Sequence, residues 1–386
     1  MSNSVAIVGM GYTSPRPLTP EVSYKEMIYE AAIKAYHDAN LPSHKDIDGF
    51  VTCAEDFIEG TSIFDEYTPD QLGGVQKPMH TITGDLLHGI ATAVMNIQTG
   101  QQDIVVVEAH SKLSNVKSLD HITHYATDPI LTRPLNVNPH AFAALDMQRF
   151  LHVSKNTLKH CAEVVIKNKR NAFKNDLSCH AQNLTVQEVL DSEETFRPLT
   201  HLQKASPVDG AFVFVLANAK KAKKLNKKPI WIRGCGWISD SPSLETRAWD
   251  TCDYAKLSGQ MAYRQAKIKN PKTQIDFFEI DDTYAFKELQ HLEALGIYDK
   301  GKSGNALLNG ALDPDGAMPT NVSGGTLGVG TFHDASGGLR TVEMIKQLRG
   351  EAGPRQLKKA NTGLAFSWRG VPTTSGITVI YSRKGA

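Results

Sequence analysis

Leu86-Leu-His-Gly-Ile-Ala-Thr-Ala-Val-Met-Asn-Ile-Gln-Thr-Gly100, followed by Asp103-Ile-Val-Val-Val-Glu-Ala109, is the stretch that decides the architecture. Ile90, Ala91, Ala93, Val94 and Ile97 recur at helical spacing, and Gly100 suits a left-handed C-cap. The run after it is continuously apolar and β-branched, the pattern of a strand covered on both faces. Upstream, Ser4-Val-Ala-Ile-Val-Gly-Met-Gly11 reads as a buried strand entering a glycine turn. A helix over Glu21 to Ala39 follows, with Met27, Ile28, Ala31, Ala32 and Ala35 on one face, and then a strand over Ile47 to Thr52. Strand, helix, strand, helix, strand implies an α/β protein with a largely parallel sheet and helices outside it.

Downstream the character changes. From Ser111 to Thr200, polar and His- and Asn-rich segments alternate with helices such as Lys155 to Phe173, the composition of an insertion. Strand chemistry returns in Asp209-Gly-Ala-Phe-Val-Phe-Val-Leu216. After Pro229 the alternation resumes, with strands at Ile230 to Gly236, Phe277 to Asp281 and Ile377 to Tyr381. Helices are expected over Asp250 to Ala266, Phe286 to Leu295 and Gly337 to Leu348. The reading is two βαβ-rich halves, 1–115 plus 200–222 and 228–386, with an inserted loop domain at 116–199.

The 386 residues carry 42 Lys+Arg against 41 Asp+Glu, a net charge of +1, which argues against a dedicated nucleic-acid binder. The basic run Lys220 to Lys228 reads as a solvated helix end, with a phosphate patch as the alternative. Five cysteines without a CxxC pair make neither a disulfide framework nor a zinc site and fit a reducing compartment. No apolar run reaches the ~20 residues of a membrane span, and the start lacks a signal-peptide pattern, so a soluble, cytoplasmic protein is expected.

Several segments, in order, resemble the thiolase superfamily, closest to its sterol-carrier-protein type and archaeal members. They are VAIVGMG near the start, DIDGFV, Asn96-Ile-Gln-Thr-Gly100 with QQDIVVVEAHSK, Arg197-Pro-Leu199 and Ser206-Pro-Val-Asp-Gly-Ala211. FFEIDDTYAFKELQHLEALG, NVSGGTLGVG and QLRGEAGPRQLKKANTGLA complete the set. The resemblance implies a five-layered, duplicated βαβαβαββ fold, an acyl-CoA thioester as substrate with no further cofactor or metal, and a homodimer. It also implies, as a partner, a small zinc-ribbon/OB-fold subunit or a thiolase paralogue.

Thiolase chemistry needs a cysteine thiolate at a helix N-terminus, where the dipole and backbone N–H groups lower its pKa. Here the resemblance puts Thr83 at that position, and no cysteine lies between Cys53 and Cys161. Asp85 is either the N-cap of the helix that follows or an acid–base group; Thr83, as a nucleophile, has no adjacent base. The family's Gly-His-Pro turn falls on Gly330-Thr331-Phe332, with His333 next in line; His333 or Asp334 either caps the following helix or contacts substrate. The polar pair of the oxyanion hole falls on Asp281-Asp282, followed by Thr283 and Tyr284, at a strand's C-terminal end where α/β sheets place ligands. The second catalytic cysteine loop is replaced by Ser367-Trp-Arg-Gly370. Asn321, Ser323, Gly324 and Gly325, in Asn321-Val-Ser-Gly-Gly325, keep the glycines expected to border the CoA path, with Asp281 beside them. His88 and His110 read as structural, and Glu55 and Asp56 as loop residues near the site.

Three readings stay open. One is a cysteine-free enzyme breaking or forming a C–C bond in an acyl-CoA, of retro-aldol or Claisen type, using Asp85, Asp282, Tyr284 and His333. The second is an acyltransferase of the ordinary thiolase kind. The third is a non-catalytic subunit of a complex.

Overall fold

Residues alternate sides along a strand, so Val5–Tyr12 (β1) sends Val5 and Ile7 into one core and Ala6 and Val8 into another. Gly49–Cys53 (β2), Met79–Ile82 (β3), Ile104–Ser111 (β4) and Gly210–Asn218 (β5) complete the first half's sheet, in the order β3-β2-β4-β5-β1. Ile230–Ser239 (β6), Phe277–Ile280 (β7), Thr362–Gly370 (β8) and Thr374–Ser382 (β9) continue it as β6-β9-β8-β7. Thr320 bridges Phe278 in parallel on the outer side of β7, where β3 lies against β2 in the first half, so the strand order repeats. The computed structural model describes residues 4–41, 43–55, 63–116, 119–226, 228–241, 243–370 and 374–385. Asp56 lies outside them.

The sheet is mixed rather than largely parallel. β2 pairs in parallel with β3 and β4, and β7 with β8. β5 enters between β4 and β1, antiparallel to both, because the chain returns from the insertion into the middle of the sheet. The halves meet edge to edge at a seam of three residue pairs, Val5 with Ile232, Ala6 with Trp231 and Ile7 with Ile230.

Helices arrange these strands in layers. Tyr24–Asp38 (α1) covers the outer face of the first half, and its start is fixed by a capping box between Ser23 and Glu26. Leu86–Gln98 (α2) and, from the second half, Ser336–Arg349 (α8) pack on each other in the centre. Their apolar faces, with strands of both halves, form the central core: Ile90, Val94, Leu339, Val342, Phe212 and Val379 belong to it.

The insertion contributes Pro139–Ser154 (α3) and Leu158–Ala172 (α4), and Asp253–Ala266 (α5) covers β6 and β9. Ala285–Ala294 (α6) and the short Gly325–Val329 (α7) lie under α4. Lys155, expected inside a helix, ends α3 in the left-handed conformation, and Thr157 starts α4 with its own capping box. Lys220 to Lys224 of the basic run stand on a surface helix, Ala219–Leu225. No described helix is long and apolar enough to cross a membrane.

Candidate active site

β2 and β4 are parallel neighbours, so their C-terminal ends open on the same side of the sheet. The turn that precedes α8 crosses that side, and between the three lies a small cleft. Glu55 enters it from the end of β2, His110 from β4, and His333 and Asp334 from the turn. The turn is held from beneath. Phe332 packs edge to face on Phe212 at 4.9 Å, and its N–H donates to Ser336 Oγ at 3.0 Å. His333 itself sits at φ +51°, a left-handed conformation that non-glycine residues adopt rarely and chiefly at functional turns.

A chain of charges runs through the cleft. His333 Nδ1 lies 3.0 Å from Asp334 Oδ1 and 3.9 Å from Glu55 Oε2. Asp334 also accepts from the Glu55 N–H, and the Glu55 carboxylate is paired with Arg369, from the end of β8. Burial opposes a charge on His333, yet the Asp334 and Glu55 carboxylates outweigh it and hold the imidazole up at about pKa 9. Asp334 is held below the usual carboxylate range: burial resists, but the His333 imidazolium wins. With Nδ1 committed to Asp334, Nε2 of a cationic His333 is left as the donor. Donor atoms of Glu55, His333 and Asp334 lie within 4.8 Å of one another, a spacing that would suit a metal. Here the two carboxylates are already matched by the His333 and Arg369 cations.

Asp85 lies behind the cleft at the N-terminus of α2. Its carboxylate accepts from the Leu87 N–H at 2.9 Å and, across the middle of the molecule, from the Gly337 N–H of α8 at 2.8 Å. It is therefore a helix cap for both central helices. Burial pushes its pKa up to about 6, against the pull of Arg340. Thr83, two residues earlier, is exposed.

The remaining expected residues do not converge on the cleft. Asp282 is fully buried and accepts from the Thr326 N–H (2.7 Å), the Thr326 hydroxyl (2.6 Å), the Leu327 N–H (3.1 Å) and Asn168 Nδ2 (2.8 Å). It holds α7 against α4, so every oxygen is spent on structure. Burial, then Glu288, raises its pKa to about 6. Asp281 is locked to the buried Arg340 at 2.6 Å, and Arg340 also donates to Ser367 at 2.9 Å. The Tyr284 hydroxyl meets His140 Nδ1 at 2.8 Å under the insertion.

The segment expected to border a CoA path is interior. Asn321 clasps the N–H and C=O of Ile280 (2.8 and 3.0 Å), and Ser323 donates to Glu279 at 2.6 Å. Gly324 lies against Ala172, and a Cβ on Gly325, at φ +58°, would strike the Asp282 carboxylate. Gly325→Val, which the sequence alone suggests would merely block a ligand path, is thus expected to destabilise the fold. A loss on the order of 3 kcal/mol or more should appear as a lowered urea midpoint.

Sulfur is absent from the cleft. Cys53 ends β2 but is fully buried under Gly89 of α2, and burial, then Glu108 and Asp85, drives its pKa well upward. Burial also raises Cys161 and Cys235 to about 12 and Cys252 to about 11, and it raises the half-buried Cys179 as well. Thiols so placed are inert. Sequence reasoning missed Arg369 and His110. Arg369 lies in the Ser367–Gly370 stretch already singled out, and the alternation of Glu108 and His110 on β4 was the available signal for His110.

Residues 236–383 match the family described as Thiolase C-terminal domain-like. Over 386 aligned residues the chain is 27% identical to an acetyl-CoA acetyltransferase of Methanothermobacter thermautotrophicus, covering 98% of this chain and 99% of that one. The chain belongs to the thiolase superfamily. Among other relatives, the 17-hydroxy-3-oxo-4-pregnene-20-carboxyl-CoA lyase of Mycobacterium tuberculosis is 25% identical over 97% of this chain and 98% of its own. A solved structure described as an Ltp2-ChsH2(DUF35) aldolase superposes with a TM-score of 0.83 at 22% identity, covering 99% of this chain and 98% of that chain. The layered, duplicated sheet is the superfamily's fold. In this member of the superfamily, the start of the central helix α2 carries Asp85 and no thiol.

Proposed function

We propose that this chain breaks or forms a carbon–carbon bond in an acyl-CoA thioester without a cysteine nucleophile, with His333 as the proton donor at the cleft. The observation that carries the reading is the placement of His333, 3.0 Å from Asp334 and 3.9 Å from Glu55, in a cleft that no thiol lines. C–C cleavage beside a thioester builds charge on the enolate, and a positioned donor both stabilises that charge and returns the proton. The lyase among the similar proteins supports C–C chemistry on an acyl-CoA, beside the acetyltransferase to which the chain is also similar.

Two measurements test it. Serine at all five cysteines is expected to leave at least a tenth of the turnover, and mass spectrometry after substrate addition should find no acyl group on a thiol. An acyl-cysteine adduct would instead establish the ordinary thiolase reaction. The second is pH. An acid titrating near 9 is competent below that value, so kcat/KM should fall as pH rises through about 9. A fall centred near 6.5, the value of a free imidazole, would remove His333 from the role.

A partner subunit belongs to the same proposal. Tyr125, Ile130, Leu131 and Leu135 of the insertion hold large apolar side chains in solvent, Ile130 at 80% exposure. A homodimer and a small zinc-ribbon/OB-fold subunit are the proposed partners, and the aldolase that superposes so well is itself a two-protein assembly by its description. Light scattering of the chain, alone and co-expressed with such a subunit, would decide between them.

A further inference from the structure

We infer that the Glu279 carboxyl is a proton-held catch between β7 and the loop that leads into α7. Neutral, it fastens the loop; ionised, beside Glu343 and Asp282, it lets go of the loop and of the inserted helix α4 docked there. The catch is independent of the chemistry proposed for the cleft.

Carboxyl groups crowd the interior around the end of β7. Glu279, Asp282 and Glu288 of α6 are 0% exposed, Glu343 of α8 is 1% and Asp281 is 2% exposed. The cations among them are already taken. Lys167 of α4 holds Glu288 at 3.1 Å, Arg340 holds Asp281 at 2.6 Å, and Arg355 holds Glu343 at 3.1 Å. Among the described residues, Glu279 and Asp282 are left without a cationic partner. Asp282 makes up for it with donors from Thr326, Leu327 and Asn168. Glu279 has only the groups of Ser323, the N–H at 3.2 Å from Oε1 and the hydroxyl at 2.6 Å from Oε2. A buried carboxylate so poorly matched is costly, and holding a proton removes the cost.

Ser323 suits the neutral acid. Oε1 accepts its N–H, and a proton on Oε2 is given to its Oγ, which also accepts the Gly325 N–H at 3.0 Å. The neighbours of Glu279 offer no positive charge. Glu343 faces it from α8 and Asp282 from the turn after β7. Lys346 of α8 is turned to Asp176, and Ala365, opposite Glu279 in the register of β8, is uncharged. Burial, then Glu343, raises the Glu279 pKa to about 8 against the pull of the Ser323 hydrogen bonds.

The insertion grips the same loop by its backbone. Lys167 Nζ donates to the Thr320 carbonyl at 2.7 Å, Asn171 Nδ2 to that of Asn321 at 3.1 Å, and Asn175 Nδ2 to that of Ser323 at 2.8 Å. β7 is held in register by β8, so the loop is the side that yields when Glu279 ionises. α4 then loses part of the surface on which it docks.

The test compares the full chain with Glu279→Gln, whose amide copies the shape and donors of the neutral acid. Urea midpoints are followed from about pH 5 to about pH 9. An acid whose pKa rises from 4.5 to about 8 on folding contributes stability that is complete below 4.5 and lost as pH rises through 8. The wild-type midpoint should therefore drop relative to the variant across that window and keep a constant offset above it. His333 and Asp85 titrate in both proteins and cancel in the difference. Hydrogen exchange should show residues 320–329 and 158–172 opening alike in the two proteins near pH 6 and about tenfold more often in the wild type near pH 9. A midpoint difference that stays constant over the whole range would overturn the inference, as would equal exchange of the two proteins near pH 9. Should Glu279→Gln fail to fold, infrared difference spectroscopy of the wild type decides. The carbonyl band of a buried carboxylic acid should be present near pH 7 and fade as pH passes about 8, and its absence near pH 7 would overturn the inference.

Discussion

Replacing His333 with asparagine is expected to lower kcat/KM on a cleavable CoA thioester by about 10²–10³-fold in a protein that still folds. Asparagine is the informative substitution because the residue sits at φ +51°. Asn tolerates the left-handed region, whereas Ala would add a backbone penalty of about 1–2 kcal/mol to the loss of chemistry. Asp334→Asn separates charge from geometry. Without that carboxylate the imidazole should titrate closer to its free value of 6.5, and the alkaline limb of the pH profile should move down from about 9 toward it. Stability follows the same linkage. A pKa raised from 6.5 to about 9 on folding contributes stability that is fully present below pH 6.5 and is lost as pH rises through 9. Thermal melts of wild type and His333→Asn between pH 6 and 10 should therefore converge at the alkaline end. Parallel curves would show that His333 is not paired in solution.

Arg340→Met is expected to cost about 3–5 kcal/mol of stability, the largest effect away from the cleft. Arg340 is 2% exposed and holds Asp281, equally buried, at 2.6 Å. The substitution leaves that carboxylate with only weak backbone donors, the N–H groups of Thr283 at 3.1 Å and Trp368 at 3.5 Å. Removing both members, as in Arg340→Met with Asp281→Leu, should recover part of the loss, because the penalty arises from the stranded charge more than from the broken pair. Arg369→Met is the control. Its pair with Glu55 is about a quarter exposed, so urea midpoints should shift by less than about 1 kcal/mol while turnover suffers. Equal destabilisation by the two arginine variants would refute this distinction between core and cleft.

The α/β periodicities of Leu86–Gln98 and Ile104–Ser111 are strong local signals, and each forms the element its pattern implies. Strand direction was less legible. Periodicity reports burial, and β5 is as apolar as a parallel strand although it runs antiparallel between two neighbours. At the candidate site, His333 stood out because it follows a glycine-rich turn before a helix, and that turn places it in the cleft. Asp281 and Asp282 lie away from the cleft for a definite reason. They stand at a strand's C-terminal end, but the insertion folds over that end, and Asn168 and Arg340 absorb their charge. Which carboxylates face solvent and which face a buried cation depends on contacts more than 50 residues apart in sequence, as in Arg340 to Asp281 at a separation of 59. No local pattern encodes them.

The double cap at Asp85 reaches beyond stability into descent. One carboxylate finishes a helix in each half of a repeated fold, with the Leu87 N–H on one side and the Gly337 N–H on the other. Once a single side chain serves both copies, neither stretch of gene can be discarded, shuffled or expressed alone without exposing a helix end that its counterpart used to complete. The repeat has become a partnership that cannot be undone one half at a time. Fragments 1–226 and 228–386 should accordingly regain structure only when mixed, with Asp85→Ala weakening their reassembly.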